Sequence, residues 1–90
     1  MSERTIKVES KVGLHARPAA LFVQTAAQAP IDVTVAKPGK EPVNAKSILA
    51  VLALDARHGE EITLRADGDG ADELLAKLAA VVAEAEPKGA

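Results

Sequence analysis

One short segment, Gly13-Leu14-His15-Ala16-Arg17-Pro18-Ala19-Ala20, concentrates groups able to handle a transferable anion. Pro18 is tolerated in the first turn of a helix, where its missing N–H goes unneeded, so a helix is expected to start close to His15. Free amides at a helix start, together with about half a positive charge from the macrodipole, form an anion site before any side chain contributes. Arg17 adds a planar guanidinium that can grip phosphate oxygens in bidentate fashion.

The same positive influences disfavour the imidazolium form. They are expected to hold the His15 pKa below its unperturbed ~6.5 and to leave one ring nitrogen as a lone-pair nucleophile. A neutral imidazole can attack phosphorus. The backbone amides of Ala16 and Arg17 and the Arg17 side chain would then stabilise the attached phosphoryl group without a metal. Phosphoryl transfer asks the protein chiefly for alignment and charge compensation, so no general base is required. A histidine by itself is more often a cap or a surface residue. The conjunction of glycine, histidine, arginine and proline at one helix start singles this segment out. His58, in the polar stretch Arg57-His58-Gly59-Glu60, reads instead as a solvated loop residue.

A second feature is apolar. Ile48 to Leu54 is an unbroken run of seven hydrophobic residues, yet a two-turn helix on a small sheet buries one side only. Val51 and Leu54 are expected to face the core, with Ile48, Leu49 and Leu52 outward. Leu21 falls off the buried face defined by Ala19, Phe22 and Val23. With Leu14 it could extend the outward residues into a docking patch beside the nucleophile, although single exposed hydrophobes are common on any surface. Ser47 precedes the run and reads as a helix cap, without the acid of a capping box because Ala50 stands three residues on. A phosphate there would add about -1.5 to -2 charges beside the patch, which makes Ser47 a candidate regulatory site.

These residues need elements to position them. Arg4 to Val8 alternates as a first strand, with Ile6 and Val8 on one face. A helix follows over Ala16 to Ala27, with Ala19, Phe22, Val23 and Ala26 at the spacing of one buried face. After Pro30, Ile31, Val33 and Val35 alternate with polar residues as a second strand. Lys37-Pro38-Gly39-Lys40 reads as a hairpin turn. The return strand, around Glu41 to Asn44, carries Pro42 and therefore belongs at a sheet edge.

A short helix from Ser47 to Leu54, capped by Asn44 or Ser47, ends before His58-Gly59. Ile62, Leu64 and Ala66 mark a fourth strand, and Asp67-Gly68-Asp69-Gly70 a turn. Leu74, Leu75, Leu78, Val81, Val82 and Ala85 form the stripe of a last helix, whose first turn carries Asp72 and Glu73. The order β-α-β-β-α-β-α predicts an α+β domain: a mostly antiparallel four-stranded sheet covered on one face by helices. Residues 1–86 are expected to form this single domain and 87–90 a tail.

Composition removes several alternatives. Ninety residues with 48% hydrophobic and 27% charged side chains and a formal charge of -2 suit one small domain and not a basic nucleic-acid binder. Phe22 is the sole aromatic residue, so stacking platforms for single-stranded RNA are missing. Cysteine is absent, which excludes disulfides and thiolate metal sites. His15 and His58 lie far apart without clustered carboxylates and do not resemble a metal ligand set. Neither a metal nor a cofactor is expected. No apolar run is long enough for a membrane span, and the N-terminus lacks the apolar segment of a secretion signal. A cytoplasmic monomer is the expectation.

Gly-Leu-His-Ala-Arg-Pro-Ala at 13–19 and Val-Asn-Ala-Lys-Ser-Ile-Leu at 43–49, with this element order, closely resemble the HPr family. These are the histidine-containing phosphocarriers of the bacterial phosphoenolpyruvate-dependent sugar phosphotransferase system. The resemblance spans nearly the whole chain. It implies an open-faced β-sandwich with sheet order 1-4-2-3 and three helices on one face. It further implies that His15 accepts a phosphoryl group on Nδ1 from enzyme I and passes it to a histidine of sugar-specific IIA components. Arg17 would stabilise that group, and Ser47 would match a regulatory serine served by a serine kinase/phosphorylase. Such a protein is a substrate of successive phosphotransferases and not itself an enzyme. The alternative reading is a regulatory adaptor whose phosphorylation state, at His15 or Ser47, controls partner binding. The hairpin 37–42 is slightly longer than the family's usual turn.

Overall fold

The computed structural model describes residues 2–8 and 16–83. Seven elements follow in the expected order: β1 (Ser2–Lys7), α1 (Ala16–Ala27), β2 (Asp32–Ala36), β3 (Val43–Asn44), α2 (Ile48–Leu54), β4 (Glu61–Asp67) and α3 (Ala71–Ala83). The four strands make one sheet in the order β1-β4-β2-β3, and all three pairings are antiparallel. Three helices cover one face and the other is open, which is the open-faced sandwich that the element order and the motifs imply.

Alternation sets the faces. Ile62, Leu64 and Ala66 of β4 and Val33 and Val35 of β2 point under the helices, where they meet Phe22 of α1 and Leu75, Leu78 and Val82 of α3. Phe22, the largest of these, is fully buried, and burying a side chain of that kind is worth about 1.5–3 kcal/mol. The opposite face carries polar cross-strand pairs. Thr5 and Thr63 are opposed in register with hydroxyls 3.1 Å apart, and Arg65 Nε donates to Glu3 Oε2 at 2.6 Å.

Several boundaries moved for physical reasons. β1 starts at Ser2 and not at Arg4, because β4 runs to Asp67 and gives the first residues partners as far as Ser2↔Ala66. β3 shrinks from the expected Glu41–Asn44 to Val43 and Asn44, consistent with Pro42 having no amide to donate. Lys37-Pro38-Gly39-Lys40 closes as anticipated: the Lys40 amide donates to the Lys37 carbonyl at 3.0 Å, and Gly39 adopts φ 76° after the proline. Ala85 and the tail 87–90 lie outside the described residues.

Candidate functional site

The site is built on the starts of α1 and α2, two helices that pack on one another. α1 begins at Ala16, so the backbone places the amides of Ala16 and Arg17 in a first turn, where no carbonyl of the same helix lies four residues back. Pro18 occupies that turn too, is buried, and contributes no donor. The first turn holds no acidic side chain to cancel the positive end of the helix. Leu14 and His15 lie outside the described residues, as does the side chain of Arg17.

α2 is positioned by its cap and its inner face. Ser47 is the N-cap, with extended φ -108° and ψ 117°; its Oγ accepts from the Ala50 amide at 3.2 Å and its carbonyl from the Val51 amide at 3.0 Å. Asn44, the other candidate cap, instead accepts the Lys46 amide at 2.9 Å through Oδ1 and shapes the turn leading into the helix. Lys46 fastens that turn to the end of α1 through Nζ and the Ala29 carbonyl, 2.8 Å apart. Val51 is fully buried and Leu54 nearly so. Ile48 and Leu52 are 37% exposed, Leu49 77% and, on α1, Leu21 52%, so all four outward assignments hold. Large apolar side chains on two touching helices, with Ser47 at the head of one, make a surface suited to a partner.

The far end of α2 carries a polar cluster that sequence reasoning missed. Lys37 Nζ donates to the Asp55 carbonyl at 3.1 Å and reaches Glu60 Oε1 at 3.4 Å. The same Oε1 accepts the Arg57 amide at 2.7 Å, and Arg57 pairs with Asp55 Oδ2 at 3.0 Å. The Arg57 amide, with help from the Lys37 ammonium, holds the Glu60 carboxyl below its ordinary value, against the opposing effect of partial burial. The Asp55 carboxylate raises the Arg57 guanidinium. Lys37 sits 18 positions from Asp55 and 23 from Glu60, so no local motif announces the cluster. His58 lies exposed in the neighbouring turn, as its polar surroundings suggested. No group of three or more metal-ligating side chains comes together among the described residues. No helix among them is long and apolar enough to cross a membrane.

The sequence model of the family described as "PTS HPr component phosphorylation site" matches residues 2–84. The chain belongs to the HPr family. It is 51% identical over 84 residues to the phosphocarrier protein HPr of Streptomyces coelicolor, covering 93% of this chain and 90% of that one. It is also 49% identical to the HPr-like protein Crh of Bacillus subtilis over 93% of this chain and 98% of Crh. Among solved structures, the HPr of Thermoanaerobacter tengcongensis superposes with a TM-score of 0.86 at 42% identity over 93% of each chain. A domain-swapped dimer of Bacillus subtilis Crh gives 0.71 at 48% identity, over 93% of this chain and 95% of that one. HPr family proteins are phosphocarriers of the phosphotransferase system, engage its components and are not in general catalysts. The likeness to Crh adds a regulatory HPr-like relative.

Proposed function

We propose that this chain is a phosphoryl carrier that takes its group from enzyme I on His15 and gives it to a histidine of IIA components. The observation that carries the reading is the start of α1 at Ala16, directly after His15, in a chain of the HPr family. Position 15 immediately precedes in sequence the main-chain amides of Ala16 and Arg17, in the first turn of a twelve-residue helix whose start carries partial positive charge. In this reading the Nδ1 lone pair of the His15 ring attacks phosphorus. A new N–P bond forms as the donor's N–P bond breaks, and the electron pair of the broken bond stays on the donor ring. The Ala16 and Arg17 amides and the Arg17 guanidinium compensate the charge of the adduct. Leu14, Leu21, Ile48, Leu49 and Leu52 serve as the surface on which successive partners dock. The carrier acts in the cytoplasm as a monomer.

The test is incubation with phosphoenolpyruvate and enzyme I. An acid-labile, base-stable phosphoryl adduct is expected on a 9.3 kDa species at sedimentation equilibrium. It should vanish in His15→Ala. Label that persists in the variant refutes the assignment, and a doubled mass refutes the monomer.

The identity to Crh supports a second reading, a regulatory adaptor. Here a phosphate on Ser47, at the head of α2 and beside Leu49, adds charge to an apolar docking surface and changes which partner binds. A serine kinase/phosphorylase would then be a further partner. If His15→Ala leaves every partner affinity intact while a phosphoserine at 47 alters them, the adaptor reading alone stands.

A further inference from the structure

The seven residues of α2 are too few to hold a helix by themselves, so its orientation depends on what secures each end and each flank. Its head is capped by Ser47 and its inner face is pinned by Val51 and Leu54. Its tail is secured differently. Asp55 turns into the left-handed region at φ 55° and ψ 48°, and its amide donates to the Leu52 carbonyl at 3.1 Å. The last turn of α2 contains no basic residue of its own. The cation that complements the negative end of this helix comes from the β2–β3 hairpin, through Lys37 Nζ on the Asp55 carbonyl.

A surface groove of about 480 Å³ lies along the flank between hairpin and helix, lined by Val43, Ala50, Ala53 and Leu54 and rimmed by Lys37 and Lys40. Side-chain packing therefore leaves this side of α2 open, and the Lys37 bonds to Asp55 and Glu60 span the gap. The Lys37 side chain is only 17% exposed, which limits competition from water.

We infer that Lys37 is a positioning residue: by tying the tail of α2 to the hairpin it fixes the angle at which Ile48, Leu49 and Leu52 are presented to a partner. This rests on the docking role given to that surface above. The Lys37 hydrogen bonds run to Asp55 and Glu60, at the opposite end of α2 from Ser47, so its influence on phosphoryl transfer acts through the attitude of α2.

Amide hydrogen exchange on the intact chain, read residue by residue, tests the tie without any partner. In Lys37→Met the amides of Val51 to Asp55 should exchange about twofold to fivefold faster, the range expected for losing one charge at a helix end, while those of Ile62 and Leu64 keep their rates. Lys37→Arg, which keeps the charge and donors, should restore the wild-type pattern. In phosphorylation by enzyme I, Lys37→Met should raise KM by a similar factor with kcat retained. Unchanged exchange in α2 overturns the inference, as does acceleration spread equally through β4 or a KM equal to wild type. If wild-type protein accepts no phosphoryl group at all, the carrier reading fails, and the exchange experiment still decides whether Lys37 holds the helix.

Discussion

Among the described glycines, Gly68 has the least room for a side chain. It holds φ at 137°, and a Cβ added there would lie 2.5 Å from Ile31 Cγ2. Gly68→Ala combines a backbone conformation that L residues avoid with a clash against the neck between α1 and β2, and should cost about 2–4 kcal/mol. Urea unfolding checks this: a midpoint equal to wild type would mean that Ile31 moves aside at no cost. A turn across Asp67-Gly68-Asp69-Gly70 was legible in its composition. Which glycine is indispensable was not, because the deciding contact comes from Ile31, far back in the chain. Asp55 is similar. Its left-handed backbone marks where α2 stops, and the sequence there has only an aspartate, a residue that tolerates that region without demanding it.

At the scale of an element, α2 shows how a weak local signal becomes a definite structure. Its composition allowed a helix, its length did not secure one, and Ser47 supplied the start. Ser47→Ala removes the acceptor of the Ala50 amide and should lower stability by about 1 kcal/mol, read as a shift in urea midpoint with an unchanged slope. No shift would show that water satisfies the Ala50 amide equally well. The inward and outward sides of α2 followed from periodicity, since Val51 and Leu54 are three apart and the sheet covers one side only. β3 illustrates the reverse case. Alternation suggested a longer strand, and the ladder retains only Val43 and Asn44 after Pro42.

For the molecule as a whole, the loop 55–60 is a junction. The Val8 amide donates to the Glu60 carbonyl and the Gly59 amide to the Val8 carbonyl, each at 2.9 Å, while Glu60 and Asp55 receive Lys37 from the hairpin. Glu60 thus links β1, the hairpin and the tail of α2. Because its folded pKa lies below the ordinary value near 4.5, its contribution is fully present above that value and is lost as pH falls through the folded one. The urea midpoint of wild-type protein should therefore drop on acidification below about pH 4.5 more steeply than that of Glu60→Gln. Parallel pH profiles would show that the carboxylate adds nothing to folding.

Residue order alone settled the number and sequence of elements, the inward faces of α1, α2, α3, β2 and β4, and the helix start beside His15. Each of these depends on neighbours within a turn or a strand pair of alternations, and such information is written locally. Folding in three dimensions decided the extent of β1 and β3, the indispensability of Gly68, and the Lys37–Asp55–Glu60 tie. All of these arise between segments brought together from distant parts of the chain, where register and close approach exist only after the sheet and its helices have packed.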